Sequence, residues 1–136
     1  MNFLYTINNN FVPQLGAGIA SICENNSKEG QISFYIMSFG ISSENKNKLT
    51  RLTKKYNRSI TFIEISDIKK YFDFEIDTSG WNPIVLARLI MGRILPENVK
   101  RILHSAYEMK GVFLWEAKDL RCGACCSWDC WPDAWC

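Results

Sequence analysis

FLYTINNNFVPQLGAGIASICEN, residues 3–25, decides the fold. Its first part, Phe3-Leu4-Tyr5-Thr6-Ile7, is a short apolar and β-prone run that reads as a strand. The asparagines Asn8-Asn9-Asn10 end it, because Asn favours turns and helix caps. A helix is expected from Phe11 to Glu24. Val12, Leu15, Gly16, Ile19, Ile22 and Cys23 fall on one face at helical spacing, and Pro13 sits in the first turn, where its missing N–H costs nothing. A strand, a polar turn and an amphipathic helix in this order open an α/β domain.

The same grammar continues outward from that stretch. Ile32 to Met37 reads as a second strand, and its near-continuous apolar character fits a strand buried on both faces of a parallel sheet. Ser42 or Ser43 is placed to cap a second helix with Glu44 near its positive end, and Leu49, Leu52 and Tyr56 form the buried stripe. Ile60 to Ile65 is a third strand. Asp67 is expected to cap a short helical turn through Tyr71 and Phe72. Asn82-Pro83 supplies two start signals for a helix from Ile84 to about Leu95, which Pro96 stops. Val99 to Leu103 reads as a fourth strand. Strands alternating with helices imply βαβ units and a mostly parallel, Rossmann-like sheet flanked by helices.

After Leu103 the pattern changes. Residues 104–136 hold the only His, five of the six Cys and four of the five Trp. Ser105 to Leu120 reads as a possible helix, with Met109, Phe113 and Ala117 at i, i+4, i+8, and the remainder as an irregular, disordered Cys/Trp-rich tail. The reading therefore divides the chain into an ordered part, 1–103, and a tail, 104–136. Cys122, Cys125, Cys126, Cys130 and Cys136 include a C-x-x-C pair. A small zinc site on Cys122, Cys125, Cys126 and Cys130 is one reading of them. An incidental tail is the other, because the thiols crowd together without two paired knuckles around a defined loop.

Composition narrows the function classes. The net charge of +2, from 16 basic and 14 acidic residues in 136, argues against nucleic-acid binding, which needs a basic stripe. Lys46, Lys48, Arg51, Lys54 and Lys55 read as a solvated helix face. No window approaches the roughly 18 apolar residues of a transmembrane span. MNFLYTINNN has neither the basic start nor the apolar run of a secretory signal, so a cytoplasmic location is expected.

Four segments together resemble the N-terminal half of glycosyltransferase family 8, which includes lipopolysaccharide galactosyl- and glucosyltransferases. They are LYTINNNFVPQLGAGIASICEN, ISFYIMSFGISSENKNKL, ITFIEI, and W-N-P-x-x-x-A-R-L followed by L-P and V-K-R-I-L. Residues 3–103 carry the likeness. The resemblance implies a GT-A fold that binds a UDP-sugar, UDP-glucose or UDP-galactose, and transfers the hexose to a saccharide acceptor. In such sheets the ligand lies beyond the carboxyl ends of the strands. The backbone of Thr6 and Ile7 would then meet the uracil, Asn8 and Asn10 the base or ribose, and Arg88 the donor phosphates or ribose. The plain readings are helix capping for Asn8 and Asn10, and a surface or ion-paired arginine for Arg88.

The family also carries an Asp-x-Asp motif directly after its next strand, whose carboxylates hold Mn²⁺ or Mg²⁺ against the diphosphate. No Asp-x-Asp occurs in this sequence. The reading is thus a family member by descent, taken as a truncated or frameshifted copy. The alternatives are a non-catalytic nucleotide-binding fragment and a non-functional remnant.

Overall fold

A computed structural model describes residues 1–66, 68–71, 86–106 and 112–116. Five strands form one sheet in the order β3-β2-β1-β4-β5 among the described residues. They are β1 (Asn2–Asn8), β2 (Ser33–Phe39), β3 (Ser59–Glu64), β4 (Arg101–Ala106) and β5 (Val112–Glu116). The first four run parallel, and β5 pairs antiparallel with β4. Parallel neighbours require crossover connections, and the helices supply them. α1 (Val12–Asn25) links β1 to β2, and α2 (Ser43–Lys55) links β2 to β3.

The alternation of side chains along β1 divides the interior into two layers. Ile7, together with the half-buried Phe3 and Tyr5, faces α1 and α2. There it joins Val12, Leu15, Ile19, Phe34, Ile36, Ile41 and Leu49, and the Phe3 and Phe34 rings stack at 5.6 Å. Leu4 faces the other way and packs with Met37, Ile65 and Ile102 under the segment from Ala87 to Leu95. β2 contributes Phe34 and Ile36 to one layer and Met37 to the other, as its apolar run implies.

Local signals explain the helix ends. Ser42 Oγ accepts from the Asn45 N–H at 3.3 Å, giving α2 its cap, while Lys48 pairs with Glu44 one turn earlier. Lys46 pairs with Glu64 of β3, so two of the basic residues on this helix face hold ion pairs. Gly40 lies at φ +72 in the turn between β2 and α2, a left-handed conformation that glycine adopts without a Cβ penalty. Arg58 binds the main-chain carbonyls of Asn26, Glu29 and Gly30, clamping the loop after α1 to the start of β3.

Three expectations from sequence change. Within the expected helix over Ile84–Leu95, the described part is a 3-10 turn, Ala87–Ile90, followed by α3 (Met91–Ile94). Leu95 is extended (φ -69, ψ 144), the conformation favoured before proline, and Pro96 ends the helix as expected. The fourth strand does not stop at Leu103 but runs to Ala106. Val112–Glu116 is a strand, not part of a helix. Val112, Phe113 and Trp115 are β-prone, and pairing with β4 overrides the helical periodicity that spans the run. The expected turn after Asp67 is present as a 3-10 turn, Ile68–Tyr71. The N-terminal part of the third helix, including Asn82-Pro83, and the cysteines Cys122, Cys125, Cys126 and Cys130 lie outside the described residues.

Candidate functional site

β1 lies at the middle of the sheet, so the turn that follows it stands over the carboxyl ends of the parallel strands. This is where α/β sheets of this type hold ligands. Asn8, the last residue of β1, is extended (φ -102, ψ -178), and its Oδ1 accepts from the Asn10 N–H at 3.0 Å. It thereby starts a 3-10 turn, Asn9–Phe11, that leads into α1. The capping reading of Asn8 is therefore realised through its oxygen, and the amide nitrogen remains available as a donor. Asn10 is exposed, and its side chain makes no hydrogen bond among the described residues. Its backbone, not its amide, serves the turn.

Asn9, which the sequence did not single out, ties the turn to its neighbour. Its Oδ1 accepts from the Ser42 N–H at 3.0 Å and from Asn45 Nδ2 at 2.9 Å. Both donors belong to the start of α2. One carbonyl oxygen thus fixes the β1 turn against the entry of the next helix. A run of asparagines shows that one will cap; it does not show which one reaches across to a segment more than thirty residues away.

Thr6 and Ile7 lie beneath this turn. Thr6 is registered with Met37 of β2 and Ala106 of β4, so its backbone is inside the ladder. Its side chain is fully buried, with Oγ1 3.3 Å from His104 Nε2 and 3.8 Å from Met37 Sδ. Ile7 packs into the layer under α1 and α2. His104 is also fully buried. Its parity with Ile102 on β4 points it into the same layer as Leu4 and Met37. The lone histidine is therefore a core residue of the sheet, joined to Thr6, and not the first residue of a separate tail. The spacing Ile102–His104 carries that signal once β4 is allowed to extend past Leu103.

Arg88 belongs to the 3-10 turn Ala87–Ile90, on the layer that covers Leu4 and Met37. Its side chain lies outside the described part of the structure. Sequence reasoning placed it on a helix; the structure places its backbone on the segment above the Thr6 layer.

Two titrating groups lie in the layer under α1. Burial pushes the Tyr5 hydroxyl above the ordinary tyrosine range, with a smaller push from Cys23. Burial also raises the Cys23 thiol, against the pull of Arg58. Both groups are therefore neutral near pH 7. Among the described residues no three His, Cys, Asp or Glu side chains converge as a metal would need. Among the described residues, the carboxylates at this end, Glu44 and Glu64, are each engaged by a lysine of α2. The end of β4 reads His104-Ser105-Ala106 and offers no carboxylate. The described residues thus do not fit a divalent cation of the kind the family uses.

The parallel core with antiparallel β5, the helices on both faces and the Asn-lined turn define a Rossmann-like GT-A half-sheet. The sequence signature of glycosyl transferase family 8 matches residues 2–105, and this chain belongs to that family. It is 24% identical over 105 residues to general stress protein A of Bacillus subtilis (strain 168), a match covering 76% of this chain and 36% of the relative. The crystal structure of galactosyltransferase LgtC in complex with donor and acceptor sugar analogs shares the fold, with a TM-score of 0.60 at 19% identity. That match covers 78% of this chain and 37% of the other. The bifunctional glycosyltransferase WbbM, in its apo form, gives a TM-score of 0.60 at 19% identity, covering 78% of this chain and 18% of the other. The chain thus spans a little over a third of the curated relative it matches. No helix among the described residues is long and apolar enough to cross a membrane.

Proposed function

We propose that residues 1–106 form the donor-binding half of a hexosyltransferase that takes a UDP-sugar, UDP-glucose or UDP-galactose, with a saccharide as acceptor. The observation that carries this reading is the turn Asn8–Phe11 at the carboxyl end of the central strand, in a family 8 chain. In this reading Asn10 gives its whole side-chain amide to the uracil or ribose. Asn8 adds its amide nitrogen while its oxygen holds the turn. Thr6 and Ile7 set the height of the turn from below, and the backbone past Ile7 meets the base edge. Arg88 meets the diphosphate, where a guanidinium fork suits paired oxygens and offsets the charge that develops on the leaving UDP. In transfer, the bond from the anomeric carbon to the UDP oxygen breaks with its electron pair leaving on UDP, the acceptor hydroxyl oxygen bonds to that carbon, and the hydroxyl proton passes to the departing diphosphate or to solvent.

A specific observation favours a second reading, a nucleotide-binding chain without transfer. Leu103 is followed by His104-Ser105-Ala106, where the resemblance places Asp-x-Asp, and none of these residues carries a carboxylate. One pair of measurements separates the readings. Calorimetric titration with UDP and release of UDP from UDP-hexose in the presence of Mn²⁺ would both be positive for the transferase. Binding without release would establish the second reading, and no UDP binding would reject both. Asn10→Ala should weaken UDP binding about tenfold, since one side chain making neutral hydrogen bonds is worth about 1.4 kcal/mol.

A further inference from the structure

The opposite end of the sheet carries a second recess. Met1, Asn2, Gln31, Ser33, Tyr35, Asn98 and Val99 line a cavity of about 280 Å³. Asn2 begins β1 and Ser33 begins β2, so the recess lies at the amino ends of the parallel strands. Six residue steps along β1 carry the chain from Asn2 to Asn8, about 20 Å at strand rise. The cavity is therefore remote from the asparagine turn.

Its lining is chemically uniform. Asn2, Gln31 and Asn98 bring amides, and Ser33 and Tyr35 bring hydroxyls. Gln31 and Asn98 are exposed at the rim, while Ser33 and Tyr35 are half-buried. The side chains of Gln31, Ser33, Tyr35 and Asn98 make no hydrogen bond among the described residues. Asn2 spends its Nδ2 on the Arg101 carbonyl at 3.1 Å and keeps its oxygen. The lining holds no carboxylate for a metal ion. The Met1 ammonium donates to the Gln31 carbonyl at 2.6 Å, and no lysine or arginine is among the lining residues to hold a phosphate's charge beside it. An apolar ligand would strand four polar side chains.

We propose that this recess binds one neutral sugar unit. Amides and hydroxyls both donate and accept, which matches neighbouring sugar hydroxyls that do the same. The Tyr35 ring is packed on the Leu4 layer, so the recess presents almost only polar surface, hydroxyl and amide, to what it holds. The volume lies near the lower end of ligand pockets, the size for a monosaccharide and not a polymer. The site is separate from the donor turn and does not rest on that assignment.

The test is a ¹⁵N NMR titration of the whole chain with methyl α-glucoside, methyl β-galactoside and inorganic phosphate, each to about 50 mM. Saturable shifts at the side-chain amides of Asn2, Gln31 and Asn98 are expected for at least one glycoside, with a Kd of about 1 mM for a ligand of this size. Tyr35→Phe keeps the ring and removes the hydroxyl; Asn98→Ala changes an exposed residue. Each should weaken binding about three- to tenfold with the rest of the spectrum unmoved. The proposal is overturned if no saturable shift appears. It is equally overturned if both variants titrate like the parent, or if phosphate saturates these amides below the glycosides. UDP shifts at Asn8 and Asn10 report separately on the donor turn.

Discussion

Replacing Thr6 with valine keeps the shape of the residue and removes one buried hydroxyl. That hydroxyl lies 3.3 Å from His104 Nε2, with both residues fully buried between β1 and β4. Loss of a neutral hydrogen bond costs about 1 kcal/mol, and a buried imidazole nitrogen deprived of this partner adds about 1–2 kcal/mol of uncompensated desolvation. The new methyl against Met37 Sδ, which Thr6 Oγ1 meets at 3.8 Å, returns up to about 0.8 kcal/mol. Thr6→Val should therefore destabilise by about 1–3 kcal/mol, or roughly 4–10 °C in Tm for a domain of this size. His104→Leu alone leaves the Thr6 hydroxyl in an apolar layer and should cost a similar amount. The double variant places two apolar groups face to face, so its loss should fall short of the sum by about 1 kcal/mol or more. Urea unfolding followed by far-UV circular dichroism measures all four corners of the cycle. A strictly additive double variant would show that the two side chains do not interact.

Other consequences are separable from that one. Asn9→Ala removes the shared acceptor of Ser42 N–H and Asn45 Nδ2 and should cost about 1–2 kcal/mol, with hydrogen exchange at the Ser42 amide accelerating more than at Leu4. Equal acceleration at both sites would mean that the link is not local. Gly40→Ala forces a Cβ into φ +72 and should destabilise by about 1 kcal/mol although nothing lies within 4 Å, so the loss, read from the urea midpoint, is conformational and not steric. The pH dependence has a definite sign. Burial raises Tyr5 and Cys23 above their unfolded values, so the stability they contribute is complete below those values and is lost as pH rises through the folded ones. The urea midpoint should fall from about pH 9 upward, and Tyr5→Phe, which cannot ionise, should fall less; an identical fall would acquit Tyr5.

What the sequence exposes and what it hides follow from the range of the interactions. Periods of two and of 3.6 residues are local, so β1, α1, β2, α2 and β3 are legible, and Ser42 announces its own helix. The apolar run of β2 even reveals a strand covered on both faces. β5 was hidden because a five-residue strand is defined by its partner, and the helical spacing of Met109, Phe113 and Ala117 competes with it over the same stretch. His104 misled for a related reason. A histidine after an apolar strand reads as the start of something new, yet two residues past Ile102 it takes the same face and finishes in the core. The role of Arg58 has no local signal at all, because its partners are carbonyls 28 to 32 residues earlier. Of the candidate site, the location of the asparagine turn was legible and the division of work within it was not.

That division bears on how binding at the turn is organised. Three adjacent residues of one type differ in what they hold: the Asn8 oxygen holds the turn, the Asn9 oxygen holds the turn to α2, and the Asn10 amide makes no hydrogen bond among the described residues. Below them, Thr6 joins β1 to β4 through His104. In the proposed donor site the Asn10 amide therefore stands on a turn fixed at its start, on one side and from beneath. Such fixing lowers the ordering cost that a nucleotide would otherwise meet on binding. It follows that Asn9→Ala should weaken UDP binding without touching UDP. Its effect should be smaller than that of Asn10→Ala and should appear as greater mobility of the turn in the free protein, measurable as reduced ¹⁵N order parameters at Asn9 and Asn10. Undiminished order in the variant would mean that the capping oxygen of Asn8 is sufficient to hold the turn.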